Sequence, residues 1–299
     1  MSDLQTGELV ALATALLWTL SSLAWTSAGK RIGALAVSFL RLLVACALMI
    51  AYGRVVRHLW LPTDADARTW LLLGTSGFFG FFLCDICLFK SMLLLGPRLT
   101  LLLFSLSPPI TAIISWAFTD DELALRHWIA MGITLAGVVW VVAEQPGTDE
   151  PLLPPGHRWR GVMLGVLAAI ANAVGYVFSK QGIGEYDAVA ATLIRASVAL
   201  PAYVVLITVW RRWPAMFAAS RDLKAVGILT LGAMVGPFAG VALSLVALRY
   251  APAGIVATLI GTMPVLILPL SVLLYHEKVS LRAVGGAVVA VAGVAMLML

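Results

Sequence analysis

The chain has 299 residues, 61% of them hydrophobic and 12% charged, with a mean hydropathy of +0.99 and a formal net charge of +5. Soluble domains carry about 25% charged residues, so these values exclude an ordinary soluble domain and point to a polytopic membrane protein. No basic cluster is long enough to track nucleic acid, and the positive balance suits anionic lipid neighbours.

The N-terminus, MSDLQTGE, is acidic and lacks the basic region of a leader, so the first apolar run is expected to be a retained span. That span covers Leu9–Thr26, and the second covers Leu35–Val56 and closes on Arg57 and His58. Trp70–Leu93 forms the third. The fourth follows the breaker Pro97 and ends at Asp120, Asp121 and Glu122, and the fifth is Trp128–Ala143. A polar, proline-rich stretch, Glu144–Arg160, reads as a linker. Beyond it lie Gly161–Ser179, Ala188–Trp210, Ala225–Leu248, Gly254–Tyr275 and Val284–Leu299. Ten runs of this kind are expected to be ten membrane helices, since roughly 20 apolar residues cross the hydrocarbon layer.

The second half repeats the first. Pro97, Pro109 and Glu122 match Pro252, Pro264 and Glu277 at an offset of 155, and Arg41 matches Arg195 at 154. Five spans per copy is an odd number, so the second copy enters from the opposite face. The fold class expected is therefore all-α, two inverted five-helix repeats around a central cavity. The proline-interrupted spans four and nine would meet across the axis, with Pro108, Pro109 and Pro264 as hinges. Gly232, Gly236 and Gly240, with Gly161 and Gly165, read as close-packing faces.

Two doubled five-span units, the LLWTLSS run from Leu16 to Ser22, the SFLR run ending at Arg41, and the Pro109/Glu122 and Pro264/Glu277 pairs resemble the drug/metabolite transporter superfamily, in its ten-span EamA-like family of bacterial exporters. The resemblance implies repeats over 1–145 and 161–299 joined by a 146–160 linker, around a cavity opening alternately to each side. It also implies a bacterial inner-membrane location with both termini cytoplasmic, although the Lys/Arg distribution leans the other way. The chain departs from the pattern at Asn172, where the repeat of Trp18 would carry an aromatic.

Asp85 stands out among the candidate functional residues. It lies about 22 Å along the helix from Trp70 by helix rise, and an intramembrane carboxylate is a functional-site candidate. Phe81, Phe82 and Phe89 share its face. Asp85 can hold a cationic amine beside aromatic rings, accept a proton for coupling, or pair with a basic residue of a neighbouring span such as Arg41. Trp18, Ser21 and Ser22, with Asn172 and Tyr176, occupy symmetric places as cavity candidates. Ser105 and Thr258 lie beside the prolines, where hydroxyls also repair freed backbone carbonyls. Arg41 and Arg195 read as scaffold cations, with anion binding as the sharper alternative; Lys90 and Lys180 read as snorkelling. All three cysteines, Cys46, Cys84 and Cys87, sit inside apolar runs, and no disulfide, cofactor, metal or catalytic residue is expected.

The expected function is secondary active transport of a small organic metabolite, an amino acid or related amine, outward by alternating access, and not enzymatic catalysis. The alternatives are a choline or quaternary-ammonium transporter and, from another class, a lipid-modifying membrane enzyme. The expected partners are a small-molecule substrate and the bilayer, with the chain a monomer or a homodimer.

Overall fold

The computed structural model describes residues 3–118, 123–144, 155–267, 269 and 280–298. Glu122 and Glu277, with Asp120, Asp121 and most of the linker, lie outside the described residues. The described chain is helical, without strands.

Helix α1 (Asp3–Ile32) reverses into α2 (Ala34–Tyr52) through Gly33, whose φ of 82° lies in the left-handed region open to glycine. A π-type turn, Gly53–Arg57, continues α2 and ends on His58. Next come α3 (Ala67–Gly77), a π-type stretch Phe78–Leu83, and the helical run α4 (Cys84–Phe104). The Ser91 and Thr100 hydroxyls lie 3.0 Å apart. Nine residues of straight helix would separate them by about 13.5 Å, so the chain doubles back between them. That turn separates the span Ala67–Met92 from the span Thr100–Phe118, which contains α5 (Ser107–Phe118). Helix α6 (Leu125–Glu144) completes the first half.

The second half contains α7 (Pro155–Ile183), α8 (Ala188–Val209), a short α9 (Trp213–Ser220) and α10 (Leu223–Ala233). A second π-type stretch, Met234–Gly240, leads into α11 (Val241–Tyr250), followed by α12 (Ala253–Ile260) and α13 (Leu281–Met298). Asp66, Asp187 and Asp222 cap α3, α8 and α10, each accepting from a backbone N–H three residues on. These aspartates explain why the loops end where they do, since a capping carboxylate satisfies an otherwise orphaned N–H.

Among the described residues eight helices are long and apolar enough to cross a membrane, and shorter apolar helices, Ala253–Ile267 and Leu281–Leu297, stand where the ninth and tenth spans are expected. Leu16, Ile113, Trp116, Leu167, Val205, Leu231 and Val288 are exposed on the outside of the bundle. Apolar side chains in that position face lipid, which is the solvent of a membrane protein.

The two halves touch element for element. α1 packs on α10, the second π stretch and α11, while α7 packs on α3, the first π stretch and α4. α2 meets α8, α5 meets α12, and α6 meets α13. The tight contacts repeat as well. A Cβ at Gly175 would lie 3.0 Å from the Gly80 Cα, and one at Gly236 would lie 2.7 Å from the Ser21 Oγ. Gly80 and Gly236 differ by 156 positions, Ser21 and Gly175 by 154.

Buried hydroxyls bind α3 to α7: Ser76 donates to the Gly175 carbonyl at 2.7 Å and lies 2.7 Å from the Ser179 Oγ. Ser76→Ala is expected to lower stability by roughly 0.6–1 kcal/mol, read as a modest drop in the thermal midpoint of the detergent-purified protein.

Candidate functional site

The proline-containing spans are both broken, at matching points. In the first, α4 stops at Phe104 and α5 begins at Ser107; in the second, α12 stops at Ile260 and helix resumes at Met263. The backbone bonds correspond at an offset of 156. Ser105 N–H reaches the Leu101 carbonyl and Gly261 N–H the Ala257 carbonyl, both at 2.9 Å; Leu106 reaches Leu103 and Thr262 reaches Leu259, both at 3.2 Å. Proline has no N–H to donate and clashes with the preceding turn, so Pro108 and Pro264 enforce each break just before themselves, and the structure pairs Pro264 with Pro108 in place of the Pro109 expected from the offset of 155. The hydroxyls nearby mend the backbone: Ser105 donates to Leu102 O and Thr262 to Leu259 O. The breaks also meet, because a Cβ at Gly261 would lie 3.4 Å from the Pro108 Cγ.

A cavity of about 20 Å³ lies between the halves, room for roughly one water. α2 supplies Ser38, Arg41 and Leu42, whose i, i+3, i+4 spacing places them on one face. α1 supplies Trp18, the first π stretch Phe81, α4 Asp85 and α8 Tyr203. Pro237 of the second π stretch and Val241 of α11 close it. Phe81 and Pro237 differ by 156 positions, so corresponding turns of the two halves face one chamber. Such π-type turns inside α-helices frequently mark functional sites.

The chemistry of the chamber centres on Asp85. The Arg41 guanidinium donates to its carboxylate, and the side chains are only 11% and 15% exposed. Arg41 also lies over the Trp25 ring at 4.3 Å. The Tyr203 hydroxyl is 3.3 Å from Asp85 Oδ2 and 3.1 Å from the Phe81 carbonyl oxygen. Phe82 meets the Tyr203 ring edge-on at 5.2 Å. Of the three uses open to Asp85 on sequence grounds, pairing with Arg41 is the one present in this conformation.

Trp18 and Asp85 reach the chamber; Phe82 stands behind its wall. Ser22, Ser105, Asn172, Tyr176 and Thr258 are not among its lining residues. Ser22, Ser105 and Thr258 donate to carbonyls of their own helices. Asn172 donates to Ser107 Oγ at 2.8 Å, linking α7 to α5, and Tyr176 packs on the central apolar cluster. Lys180 does more than snorkel, since its Nζ donates to the Ala251 carbonyl at 2.9 Å. The sequence reading did not single out Tyr203, Ser38 or Pro237. The 156 offset from Phe81 would have found Pro237, and the i, i+3 spacing to Arg41 within the SFLR run would have found Ser38.

Two polar clusters bridge the halves near opposite helix ends. Arg31 Nε donates to Asp222 Oδ2 at 2.9 Å. At the other end, Arg57 pairs with Asp64, Tyr186 donates to Asp64 Oδ1 at 2.9 Å, and Tyr52 donates to Asp187. Burial pushes the Tyr186 hydroxyl up to about 12, so it remains a donor at neutral pH.

The family model for EamA-like transporters matches residues 5–143 and 159–299. This chain belongs to the EamA-like transporter family. Drug/metabolite transporter superfamily membership follows. A relative described as an uncharacterised transporter of Synechocystis sp. (strain ATCC 27184 / PCC 6803 / Kazusa) is 23% identical over 158 residues, which are 53% of this chain and 46% of that one. The match thus spans about half the relative's length. A solved structure described only as the crystal structure of a protein superposes with a TM-score of 0.74 and 21% identity, over 97% of this chain and 96% of that one. The EamA-like family and its named relative point to a membrane transporter and not to an enzyme.

Proposed function

We propose that this EamA-like protein is a secondary active transporter that carries a small organic metabolite, an amino acid or related amine, outward by alternating access. The unit that moves is one five-helix repeat, 1–145 or 161–299, rocking against its inverted copy within a bundle of ten spans. The single observation carrying this reading is the pair of matching breaks in spans four and nine, which meet beside Pro108. Broken helices at equivalent places in two repeats are how transporters build and gate a midplane site. Supporting it, α1 contacts α10 and α11 as α7 contacts α3 and α4, which is the reciprocal pattern that a two-fold relation between the halves produces.

The cavity of about 20 Å³ is too small for a metabolite, since ligand pockets run to about 300–1,000 Å³. Substrate entry therefore requires the halves to part, with Trp18, Asp85 and Tyr203 as the surface uncovered and Pro108, Pro109 and Pro264 as the pivots. The Arg31–Asp222 and Arg57–Asp64–Tyr186 bridges are the closures at the two ends, and each must open in turn. The location proposed is the bacterial inner membrane, with both termini cytoplasmic.

Vesicles containing the purified chain alone test this reading. Solute counterflow is expected for at least one amino acid or amine. Arg31→Cys with Asp222→Cys, joined by a bifunctional thiol reagent, is expected to stop it, because one end can no longer open. The native cysteines are buried, which leaves the engineered pair as the accessible thiols. Undiminished transport after complete cross-linking would refute alternating access at that end.

A further inference from the structure

We infer that Arg195 is the seat of the substrate's carboxylate, so that the transported solute carries an anionic group. The inference rests on the transport reading above and narrows its substrate class. Arg195 lies within α8 and is only 7% exposed, yet no acid pairs with it among the described residues, and its buried Nε has no acceptor. Its guanidinium instead rests over the Phe81 ring, 4.5 Å from the centroid. A cation–π contact spreads some charge but supplies no oxygen to the guanidinium N–H groups.

Comparison of the repeats sets Arg195 apart from its counterpart. Arg41, the counterpart of Arg195 at an offset of 154, is neutralised by Asp85. Carrying Asp85 forward by 154 to 156 positions lands on Ala239, Gly240 and Val241, none of which bears a carboxylate. The second repeat therefore places a cation where the first has one, with no carboxylate at the position matching Asp85.

Glycines let the first repeat close tightly on the charged residue, without a side chain covering its guanidinium. A Cβ at Gly80 would lie 3.3 Å from Arg195 Nη2, and the neighbouring Gly77 admits the Arg195 backbone itself. Phe81 lines the chamber that holds Asp85 while carrying Arg195 on its ring, so the two charges lie around one aromatic wall. A guanidinium presents a planar fork matched to a carboxylate. Arg41 already balances Asp85, so Arg195 leaves this wall with a single uncompensated positive charge, matched to one carboxylate, while the ammonium of a zwitterion can turn towards the Trp18 and Tyr203 rings. An α-amino acid has that charge pattern; a quaternary ammonium alcohol lacks the anion.

The test uses the full-length chain in detergent, with ligand binding read from the thermal midpoint, because a ligand of the native state raises it. The probes are the standard amino acids, their carboxamides, the matching decarboxylated amines, and choline. At least one amino acid is expected to raise the midpoint of the wild type, with its carboxamide binding at least tenfold more weakly. Arg195→Gln is expected to erase that acid-over-amide preference, and Arg195→Lys to retain part of it. Equal binding of acid and amide, an unchanged preference in Arg195→Gln, or no carboxylate-dependent shift for any probe overturns the inference. The wild-type acid-to-amide comparison decides even if the variants fail to fold. Choline or amines binding wild type and Arg195→Gln alike would sink the carboxylate seat while leaving transport standing. Absence of vesicle transport for every solute would instead remove the transport reading first.

Discussion

Asp85→Asn is expected to destabilise the protein by roughly 3 kcal/mol, the lower end of what breaking a buried ion pair costs. Asparagine keeps the shape of the side chain but leaves the Arg41 guanidinium, 11% exposed, facing a neutral amide. Tyr203 loses a charged acceptor in the same step, although the Phe81 carbonyl remains within reach. Arg41→Gln is expected to cost a similar amount by orphaning the carboxylate and by removing the cation from the Trp25 ring. The double substitution should be less damaging than the sum of the two, with a coupling of about 1–3 kcal/mol. Additive losses in unfolding measurements on the four proteins would show that the pair does not hold the helices together. The prediction separates structure from transport: a double variant that recovers stability while counterflow stays lost assigns Asp85 and Arg41 to the transport cycle as well as to the fold.

The second large effect is expected from a single methyl group. A Cβ at Gly77 would lie 2.1 Å from the Arg195 carbonyl oxygen and 2.6 Å from the Arg195 Cα. Both are backbone atoms in the middle of α8, so no rotamer change relieves the clash and the two helices must separate. Overpacking ordinarily costs about 1–3 kcal/mol, and Gly77→Ala is expected at or above the top of that range. Gly132→Ala is the control, since nothing lies within 4 Å of its added Cβ. There the better helix propensity of alanine should leave stability unchanged or raise it by up to about 1 kcal/mol. Midpoints shifted equally in both variants would show that the α3–α8 approach is not the cause.

Much of the scaffold was legible because its causes are local. Apolar length marks a span and proline removes a donor wherever it stands; both act within a few residues. The breaks before Pro108 and Pro264 and the turn near Pro97 follow from such signals. The use of Asp85 was only narrowed: Arg41 was named as a candidate partner, but it lies 44 residues away, and nothing local chooses pairing over amine or proton binding. Tyr203 was invisible, a tyrosine in an apolar run whose hydroxyl finds an acceptor only through packing. The π stretch Phe78–Leu83 has no proline to announce it, and α9, with eight residues, is too short for its periodicity to stand out from a loop. Ser105 and Thr258 went to backbone repair because a neighbouring carbonyl is always closer than a solute.

The contact between the two interrupted helices has a mechanical consequence. Because Gly261 sits against Pro108, rocking of the proposed kind would pivot where the two breaks touch, and the halves would share a fulcrum. A see-saw of that kind drops one end as it lifts the other. A passage open to both compartments at once would require the fulcrum itself to split.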